Sequence, residues 1–251
     1  MSDNDSPVLV EVAEDLAMVT LNRPKVLNAI TPRMLEDLVL VLTDLGSRDD
    51  AKVIVITGAG RAFSAGVDLK ALRDGGLRGG SVGNRLDTAA REVMRLLTTI
   101  PKVVIARVNG PCFTGAVELM MACDLAVAAE DATFGDTHAK WGLRPTWGMS
   151  ARLWRNVGLL RARELSYTAK TFTGLDAADW GLVNRAVPRD ELDTAVHELA
   201  TAIADNSAGS VAAYKHLYRE SLELGLSEGL SFEQSSTFEI ADSESRIAGF
   251  D

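Results

Sequence analysis

The chain has 251 residues, of which 47% are hydrophobic, and it carries a formal net charge of −9. This size allows a full hydrophobic core, and the acidic balance argues against a nucleic acid as the main partner. An anionic small ligand is still compatible with the composition, because local lysines and arginines can bind one on an acidic protein. The apolar runs are short and interrupted by charged residues or glycine, so no membrane span is predicted.

The N-terminal segment is short and acidic, unlike a secretory signal, and a cytoplasmic location is therefore expected. Cys112 and Cys123 are expected to be small apolar core residues rather than a disulfide or metal pair. Since the three histidines are scattered and no cysteine cluster exists, we predict no metal site.

Strands and helices alternate along the first half of the chain, which favours an α/β fold with a largely parallel sheet. The C-terminal third is predicted to be helical and poor in strands, and Leu72–Asn84, rich in glycine and arginine, is expected to be a mobile surface loop. In chain order we predict a hairpin of Val8–Val12 and Leu16–Leu21, a helix from the Thr31 cap and Pro32 to about Leu45, a strand at Val53–Thr57, a helix at Asp87–Thr99, a strand at Val103–Val108, and late helices at Leu192–Asn206, Val211–Leu222 and Leu230–Asp242.

A short apolar helix beginning near Thr114 carries a carboxylate, Glu118, in its first turn and lies between two apolar strand segments. A buried carboxylate costs free energy unless it is paired or protonated, and burial shifts its pKa as catalytic carboxylates require. The alternative is that Glu118 only faces the positive end of the helix dipole. The position alone leaves both interpretations open.

Two loops, Phe63–Asp68 and Phe113–Glu118, share one design, in which a β-branched strand leads into a glycine-bearing turn that opens a helix. The free N–H groups at two facing helix starts would hold a carbonyl oxygen from both sides, forming an oxyanion hole. Small residues at these turns would let the backbone approach such a ligand. The glycines are equally compatible with tight packing.

Nucleotide and hydrolase motifs are missing from the sequence. The segment Gly58–Phe63 lacks the third glycine of a dinucleotide-binding fingerprint, and the acidic residue expected about twenty positions further on is also lacking. Neither a GxxxxGK[ST] phosphate loop nor a GxSxG nucleophile elbow occurs.

The sequence resembles the crotonase superfamily, the enoyl-CoA hydratase/isomerase group, over nearly its whole length and in the right order. The segments that carry the resemblance are Leu21–Ala29, Ile54–Lys70, Val108–Ala129, Phe134–Gly135 and Gly174–Val187. The resemblance implies an α/β spiral of ββα units followed by a C-terminal helical trimerisation region. We therefore expect an acyl-CoA-binding core at 1–190 and an oligomerising, pocket-covering region at 191–251.

The resemblance also implies the partners and the ligand contacts. It predicts a homotrimer or dimer of trimers that acts on an acyl-CoA thioester without a separate cofactor, because coenzyme A is part of the substrate. Val67 and Gly115 would supply the two oxyanion N–H groups. The positions implied for binding coenzyme A and substrate are Lys25, Val26, Leu27, Arg61, Ala65, Gly66, Asp68, Leu69 and Lys70.

The catalytic pair departs from the family pattern. Glu118 matches the first of the two glutamates of the hydratases, but the segment Phe-Gly-x-x-Glu that carries the second is replaced here by one that ends in His138. A histidine can act as a general acid or base near neutral pH or be a structural residue. Asp136 would lie on the same side as His138 if the segment were a strand, and could orient it or be a surface charge.

Three functions follow from this departure. Reversible hydration of a 2-trans-enoyl-CoA to a 3-hydroxyacyl-CoA would use Glu118 to handle the attacking water, with His138 or a water replacing the missing acid. Isomerisation or epimerisation would use Glu118 as a single base, and a non-catalytic acyl-CoA-binding protein would use neither. The rings of Trp141 and Trp147 are expected to be core packing rather than walls of an acyl pocket.

Overall fold

The computed structural model describes residues 6–70 and 79–250 of the chain. Two β-sheets are flanked by helices, and most strands of the larger sheet are parallel. The strands are β1 (Val8–Ala13), β2 (Asp15–Leu21), β3 (Ala51–Gly58), β4 (Val103–Val108), β5 (Cys112–Phe113), β6 (Leu125–Ala129), β7 (Thr133–Gly135), β8 (Thr171–Thr173) and β9 (Arg185–Val187).

Helices occupy the connections between these strands and the C-terminal end of the chain. They are α1 (Pro32–Ser47), α2 (Asn84–Thr99), α3 (Gly115–Ala122), α4 (Met149–Val157), α5 (Leu159–Thr168), α6 (Gly174–Asp179), α7 (Leu192–Ala204), α8 (Ala208–Ser221), α9 (Leu226–Ser235) and α10 (Ser243–Ala248). Short 3-10 turns lie at Pro24–Val26, Ala139–Trp141 and Arg189–Glu191.

The larger sheet has the order β1-β2-β3-β4-β6-β9. Strands β1 and β2 form the expected hairpin, and Glu14 and Asp15 make its turn with positive φ angles of 51° and 66°. The remaining neighbours pair in parallel, as the alternation of strands and helices predicted. Buried on both faces, β3 and β4 consist mainly of Val, Ile and Ala, which is typical of a parallel sheet covered by helices.

The predicted start of α1 is confirmed in detail. The Oγ1 atom of Thr31 accepts a hydrogen bond from the amide of Met34 at 3.3 Å, and Pro32 occupies the first helical position, where no N–H is needed. Along α1 the residues that face the core recur at helical spacing, namely Met34, Leu35, Leu38, Leu42 and Leu45.

Parallel pairing brings the two loops of shared design to the same edge of the sheet, because β3 and β4 run in the same direction. The chain after β3 then meets the chain after β4 directly. The amide of Ser64 donates to the carbonyl of Pro111 at 3.0 Å, and the amide of Phe113 donates back to the carbonyl of Ser64 at 3.1 Å. The fold therefore places side by side two loops that lie about fifty residues apart in sequence.

Several predicted boundaries are wrong. The segment Leu230–Asp242 was expected to be one helix, but α9 ends at Ser235, the next residues are irregular, and α10 begins only at Ser243. Helix α2 begins at Asn84 rather than Asp87, after Gly83 with a φ of 95°. Most of the predicted mobile loop Leu72–Asn84 lies outside the described residues.

The C-terminal helices divide into two groups. Helix α7 packs on the larger sheet, and its buried residues, such as Leu192 and Val196, belong to the main core. Helix α8 buries only Ala213, and α9 and α10 bury no residue within this chain. Helix α7 thus packs against the α/β body, and the division at residue 190 stays a prediction.

Candidate active site

Glu118 lies in the first turn of α3 with only 1% of its surface exposed. Its Oε1 atom accepts hydrogen bonds from the backbone amides of Trp147, at 3.0 Å, and Met149, at 2.9 Å. Trp147 lies just before α4, and Met149 is the first residue of that helix. The carboxylate is therefore fixed by backbone groups on one oxygen, while its other oxygen, Oε2, faces His138.

Burial raises the pKa of Glu118 above its ordinary value. The amides of Met149 and Trp147 and the nearby His138 oppose this effect, because each stabilises the charged form, but they do not cancel it. Arg152 from α4 places a positive charge near Glu118. It also donates a hydrogen bond to the carbonyl of Trp147 at 3.1 Å. A carboxylate with a raised pKa exchanges protons closer to neutral pH than a solvated one.

His138 is buried and lies between two carboxylates. Its Nδ1 atom is 2.7 Å from Oδ1 of Asp136, and its Nε2 atom is 3.7 Å from Oε2 of Glu118. The other carboxylate oxygen of Asp136, Oδ2, accepts from the hydroxyl of Ser166 on α5 at 2.7 Å. The four side chains form a series in the order Ser166, Asp136, His138 and Glu118, of which Ser166 is half-buried and the other three are buried.

The contact between Asp136 and His138 has a different local origin from the one expected. Strand β7 ends at Gly135, and His138 has helical backbone angles, so the two side chains do not meet by strand alternation. Instead Asp136 folds forward onto the chain, and its Oδ1 atom accepts from the amide of His138 at 3.3 Å as well as from the ring. Asp136 is buried and is not the surface charge that was the alternative.

Burial acts to raise the pKa of Asp136, but the hydrogen bonds from His138 and Ser166 outweigh it and lower the pKa below its ordinary value. Asp136 is therefore ionised at neutral pH and accepts a proton-bearing partner. Because a carboxylate can only accept, the shared proton lies on Nδ1 of His138. The Nε2 atom is then the ring position that faces Glu118.

The two predicted oxyanion donors lie on the loops that the sheet brings together. A Cβ atom on Gly66 would lie 2.6 Å from the carbonyl oxygen of Phe113, and Gly66 has a φ of 83°, so only glycine fits there. Among the described residues, neither the amide of Val67 nor that of Gly115 donates a hydrogen bond. Both amides are thus unpaired within the described residues, and their role as oxyanion donors stays a prediction.

Thr114, directly before Gly115, is held in an unusual backbone conformation with φ 51° and ψ −108°. Its amide donates to the carbonyl of Gly135 at 2.9 Å, and its hydroxyl lies 2.6 Å from that of Thr137. A non-glycine residue in this region stores strain that the surrounding contacts must hold. These contacts link the loop of the donor Gly115 to the segment that carries His138.

The residues implied for coenzyme A binding line the outer side of the first loop. Lys25, Arg61 and Lys70 are exposed, as are Val26 and Leu69. The segment of Lys25 lies beside that of Arg61, because the amide of Ala65 donates to the carbonyl of Leu27 at 2.8 Å. Leu27 and Ala65 are half-buried, and Gly66 is buried between the loops.

Asp68, unlike the exposed basic residues of the previous paragraph, is held by contacts within the protein. Its Oδ2 atom lies 3.0 Å from the guanidinium of Arg23, and its Oδ1 atom accepts from the amide of Lys70 at 3.1 Å. The amide of Asp68 also donates to the carbonyl of Ile30 at 2.9 Å. Asp68 thereby fixes the backbone directly after Val67.

The two tryptophans differ from each other. Trp147 is 4% exposed and packs in the interior, as expected. Trp141 is 55% exposed, so the prediction that it packs in the core is wrong, because the 3-10 turn Ala139–Trp141 directs it to the surface. The ring of Trp147 lies directly over Gly115, where a Cβ atom would come within 2.6 Å of it.

Three residues that sequence reasoning did not select support this site. Asn28 is fully buried, and its side chain donates to the carbonyls of Ala59 and Ala62 at 2.9 and 2.8 Å. Asp87 and Arg152 are the other two, and both contact Trp147. Asn28 lies in the segment Leu21–Ala29 that carries the family resemblance, but no local signal distinguished a buried amide from a loop residue. Asp87 resembled an ordinary acidic residue in a first helical turn.

The described residues hold no group of three or more His, Cys, Asp or Glu side chains arranged to bind a metal ion. Cys112 and Cys123 are not bonded to each other, and burial raises the pKa of the Cys112 thiol. None of the helices in the described ranges 6–70 and 79–250 is long and apolar enough to cross a membrane.

Comparison with known proteins agrees with this architecture. The sequence model of the enoyl-CoA hydratase/isomerase family matches residues 11–251. A probable peroxisomal enoyl-CoA hydratase 1 of Arabidopsis thaliana is 36% identical over 239 residues, which cover 93% of this chain and 87% of the relative.

Two solved structures are also similar. The structure of an enoyl-CoA hydratase from Bacillus anthracis is 32% identical, with a TM-score of 0.85 and coverage of 91% of this chain and 88% of that one. A monofunctional enoyl-CoA isomerase from M. smegmatis is 29% identical, with a TM-score of 0.77 and coverage of 92% and 100%.

A buried carboxylate and a buried histidine lie close together on this α/β fold, an arrangement typical of enzymes that move protons. The chain belongs to the enoyl-CoA hydratase/isomerase family of the crotonase superfamily. It is an enzyme of the lyase or isomerase type found in that superfamily.

Proposed function

We propose that this protein hydrates a 2-trans-enoyl-CoA reversibly to a 3-hydroxyacyl-CoA, with Glu118 and His138 as the acid–base pair. The observation that carries the proposal is the position of His138, whose Nε2 atom faces Glu118 at 3.7 Å while Asp136 holds the other ring nitrogen. The pair thus presents two titratable groups where the hydratases present two glutamates. The amides of Val67 and Gly115 would donate hydrogen bonds to the thioester oxygen.

In the proposed reaction Glu118 takes a proton from water while the water oxygen bonds to the β-carbon of the enoyl group. The electrons of the carbon–carbon double bond move toward the thioester, and the resulting enolate oxygen is stabilised by the amides of Val67 and Gly115. The protonated imidazole of His138 then gives its Nε2 proton to the α-carbon. Transfer of the proton from Glu118 to His138 restores the starting state, so one water is added with no net proton change.

Binding of the coenzyme A part is proposed to involve the exposed basic residues Lys25, Arg61 and Lys70. Their charges suit the phosphates of the ligand, and they lie on or beside the loop that carries Val67. The backbone near Ala65 would contact the adenine, and Val26 and Leu27 would lie along the apolar part of the carrier. No further cofactor is needed for this reaction, since water and the two side chains supply all the protons.

Isomerisation with Glu118 as a single base is the second candidate. It is favoured by the buried position of Glu118 and by the similarity to the M. smegmatis isomerase. In this reaction Glu118 would take a proton from one carbon of a 3-enoyl-CoA and return it to another through the same enolate. His138 would then only stabilise the charge of Glu118.

An assay with two substrates tests both proposals. Crotonyl-CoA is mixed with the enzyme, and the absorbance of the conjugated thioester is followed. Hydration predicts loss of this absorbance, and Glu118→Gln, which keeps the size of the side chain, should abolish the loss. A gain of absorbance with a 3-enoyl-CoA, and no reaction of crotonyl-CoA, would favour the isomerase. Binding of both thioesters without turnover would contradict both.

The assembly proposed for the active protein is a homotrimer or a dimer of trimers. Large apolar side chains are exposed on the C-terminal helices, including Tyr218 and Leu222 on or beside α8, Leu226 and Leu230 on α9 and Ile247 on α10. Mass photometry at low concentration should give three or six times the chain mass of 26.9 kDa. A monomer would contradict the proposal. The cytoplasmic location stays a prediction from the sequence.

A further inference from the structure

Asp87 is a buried carboxylate for which the proposed reaction has no use. It lies in the first turn of α2 and accepts three hydrogen bonds. Its Oδ2 atom accepts from the hydroxyl of Ser81 at 2.6 Å, and its Oδ1 atom accepts from the hydroxyl of Thr146 at 2.7 Å and from the indole Nε1 of Trp147 at 2.9 Å. Burial acts to raise the pKa of Asp87, but these donors outweigh it and lower the pKa.

Trp147 is the residue through which Asp87 reaches the active site. Its backbone amide donates to Oε1 of Glu118 at 3.0 Å, and its ring packs over Gly115. One residue therefore contacts both the proposed base and the backbone of a proposed oxyanion donor. The hydrogen bond to Asp87 fixes the ring, because a buried indole N–H without an acceptor would be costly.

We propose that Asp87 is a positioning residue for catalysis, which holds Trp147 so that the base Glu118 and the amide of Gly115 keep their relative placement. This inference rests on the function proposed above, because it assigns Glu118 and Gly115 their roles. Asp87 touches neither of them and lies on a different helix. Its effect is transmitted by the geometry of one side chain.

Charge is not the means by which Asp87 acts on Glu118. The ionisable groups that face Glu118 are His138 and Asp136 on the segment after β7 and Arg152 on α4. An uncharged acceptor of the same shape should therefore replace the carboxylate. Asp87→Asn provides that acceptor, because its Oδ1 can still accept from Thr146 and Trp147, and Ser81 can rotate to accept from the new amide.

Three variants separate positioning from simple stabilisation. Asp87→Ala leaves Trp147 without its acceptor, and we expect kcat for crotonyl-CoA to fall about 10- to 100-fold, as for small misplacements of catalytic groups, with little change in KM. Asp87→Asn should restore kcat to within a few-fold. Ser81→Ala removes a different hydrogen bond from the same carboxylate and is the matched control, expected to lower the melting temperature without lowering kcat.

The pH dependence of kcat/KM provides a readout that a structural role alone would not change. If Trp147 moves, Glu118 loses a hydrogen bond to its charged form, and the acid limb should shift to higher pH in Asp87→Ala only. Equal losses of activity in Asp87→Ala and Ser81→Ala, or a loss in Asp87→Ala with an unmoved acid limb, would overturn the proposal.

Hydrogen exchange keeps this test independent of the reaction. The amides of Trp147 and Met149 are held by Glu118, and their exchange should accelerate in Asp87→Ala and stay slow in Ser81→Ala. If the wild-type enzyme turns over neither crotonyl-CoA nor a 3-enoyl-CoA, the proposed function fails while the exchange result still decides whether Asp87 positions Trp147. Unchanged exchange in Asp87→Ala would overturn the positioning role itself.

Discussion

The Nε2 atom of His138 lies 3.7 Å from Oε2 of Glu118, with both side chains buried. This separation is slightly longer than a hydrogen bond. The other ring nitrogen of His138 is already held by Asp136 at 2.7 Å. The pair is therefore oriented for proton exchange between the carboxylate and the imidazole.

Replacing His138 tests whether it is the acid. We expect His138→Ala to lower kcat for crotonyl-CoA by about 100-fold or more, the usual contribution of a general acid, and KM to change less. His138→Glu restores the residue type of the hydratases and should exceed His138→Ala in activity, and exceed the wild type if the surrounding geometry accepts it. Equal activities of His138→Ala and the wild type would contradict a role for the imidazole.

The pH–rate profile should report the ionisation of Glu118. Burial raises the pKa of Glu118, and the base must be ionised to accept a proton from water. Activity should therefore fall as the pH decreases, with an inflection above the range of a solvated glutamate. Measurement of kcat/KM with crotonyl-CoA from about pH 4 to about pH 9 checks this prediction. An inflection at the value of a solvated glutamate would contradict it.

The free energy of unfolding should also depend on the ionisation of Glu118, and the raised pKa determines the direction of that dependence. Because the folded-state pKa of Glu118 is raised, the folded protein binds this proton more tightly than the unfolded chain does, and stability falls as the pH rises from the unfolded value through the folded one. Glu118→Gln removes the buried charge and can still accept from Trp147 and Met149. Denaturant unfolding should show the variant gaining stability relative to the wild type as the pH rises, and a gap that does not change with pH would contradict the argument.

We expect Asp136 to affect catalysis through its contact with His138 and not as a surface charge. Asp136→Asn keeps an oxygen that can accept from Nδ1 but removes the negative charge beside the ring, so the protonated form of His138 loses its support. We expect kcat to fall about 10- to 100-fold, a typical cost for a residue that orients a functional histidine. Ser166→Ala leaves Asp136 charged and in contact with His138, and it should have a smaller effect. The opposite order of the two variants would contradict this role.

Replacing Gly66 tests whether the two facing loops must stay close together for activity. Gly66→Ala would place a Cβ atom 2.6 Å from the carbonyl of Phe113 and would strain a φ of 83°. The loops must separate, so the amides of Val67 and Gly115 would move apart, and we expect kcat to fall about 100-fold, as when an oxyanion donor is removed. Circular dichroism should still show a folded protein. Full activity would show that the two amides do not act on one oxygen.

The elements that were predicted well are those in which local chemistry is decisive. Thr31 and Pro32 begin α1 because one accepts a backbone amide and the other lacks one. The β-branched runs of β3 and β4 form buried parallel strands because helices cover both faces. The last predicted helix, Leu230–Asp242, was placed less well, since α9 and α10 bury no residue within this chain.

The sequence by itself determined the family resemblance, the two glycine-bearing loops, the position of Glu118 and the replacement at His138. Only the tertiary structure decided how these groups meet. The contact between Glu118 and Trp147, the support of Trp147 by Asp87, and the distance from His138 to Glu118 all join separate elements of the chain. Such contacts depend on burial and on parallel strand pairing, which bring distant residues together, and neither is encoded in local propensity.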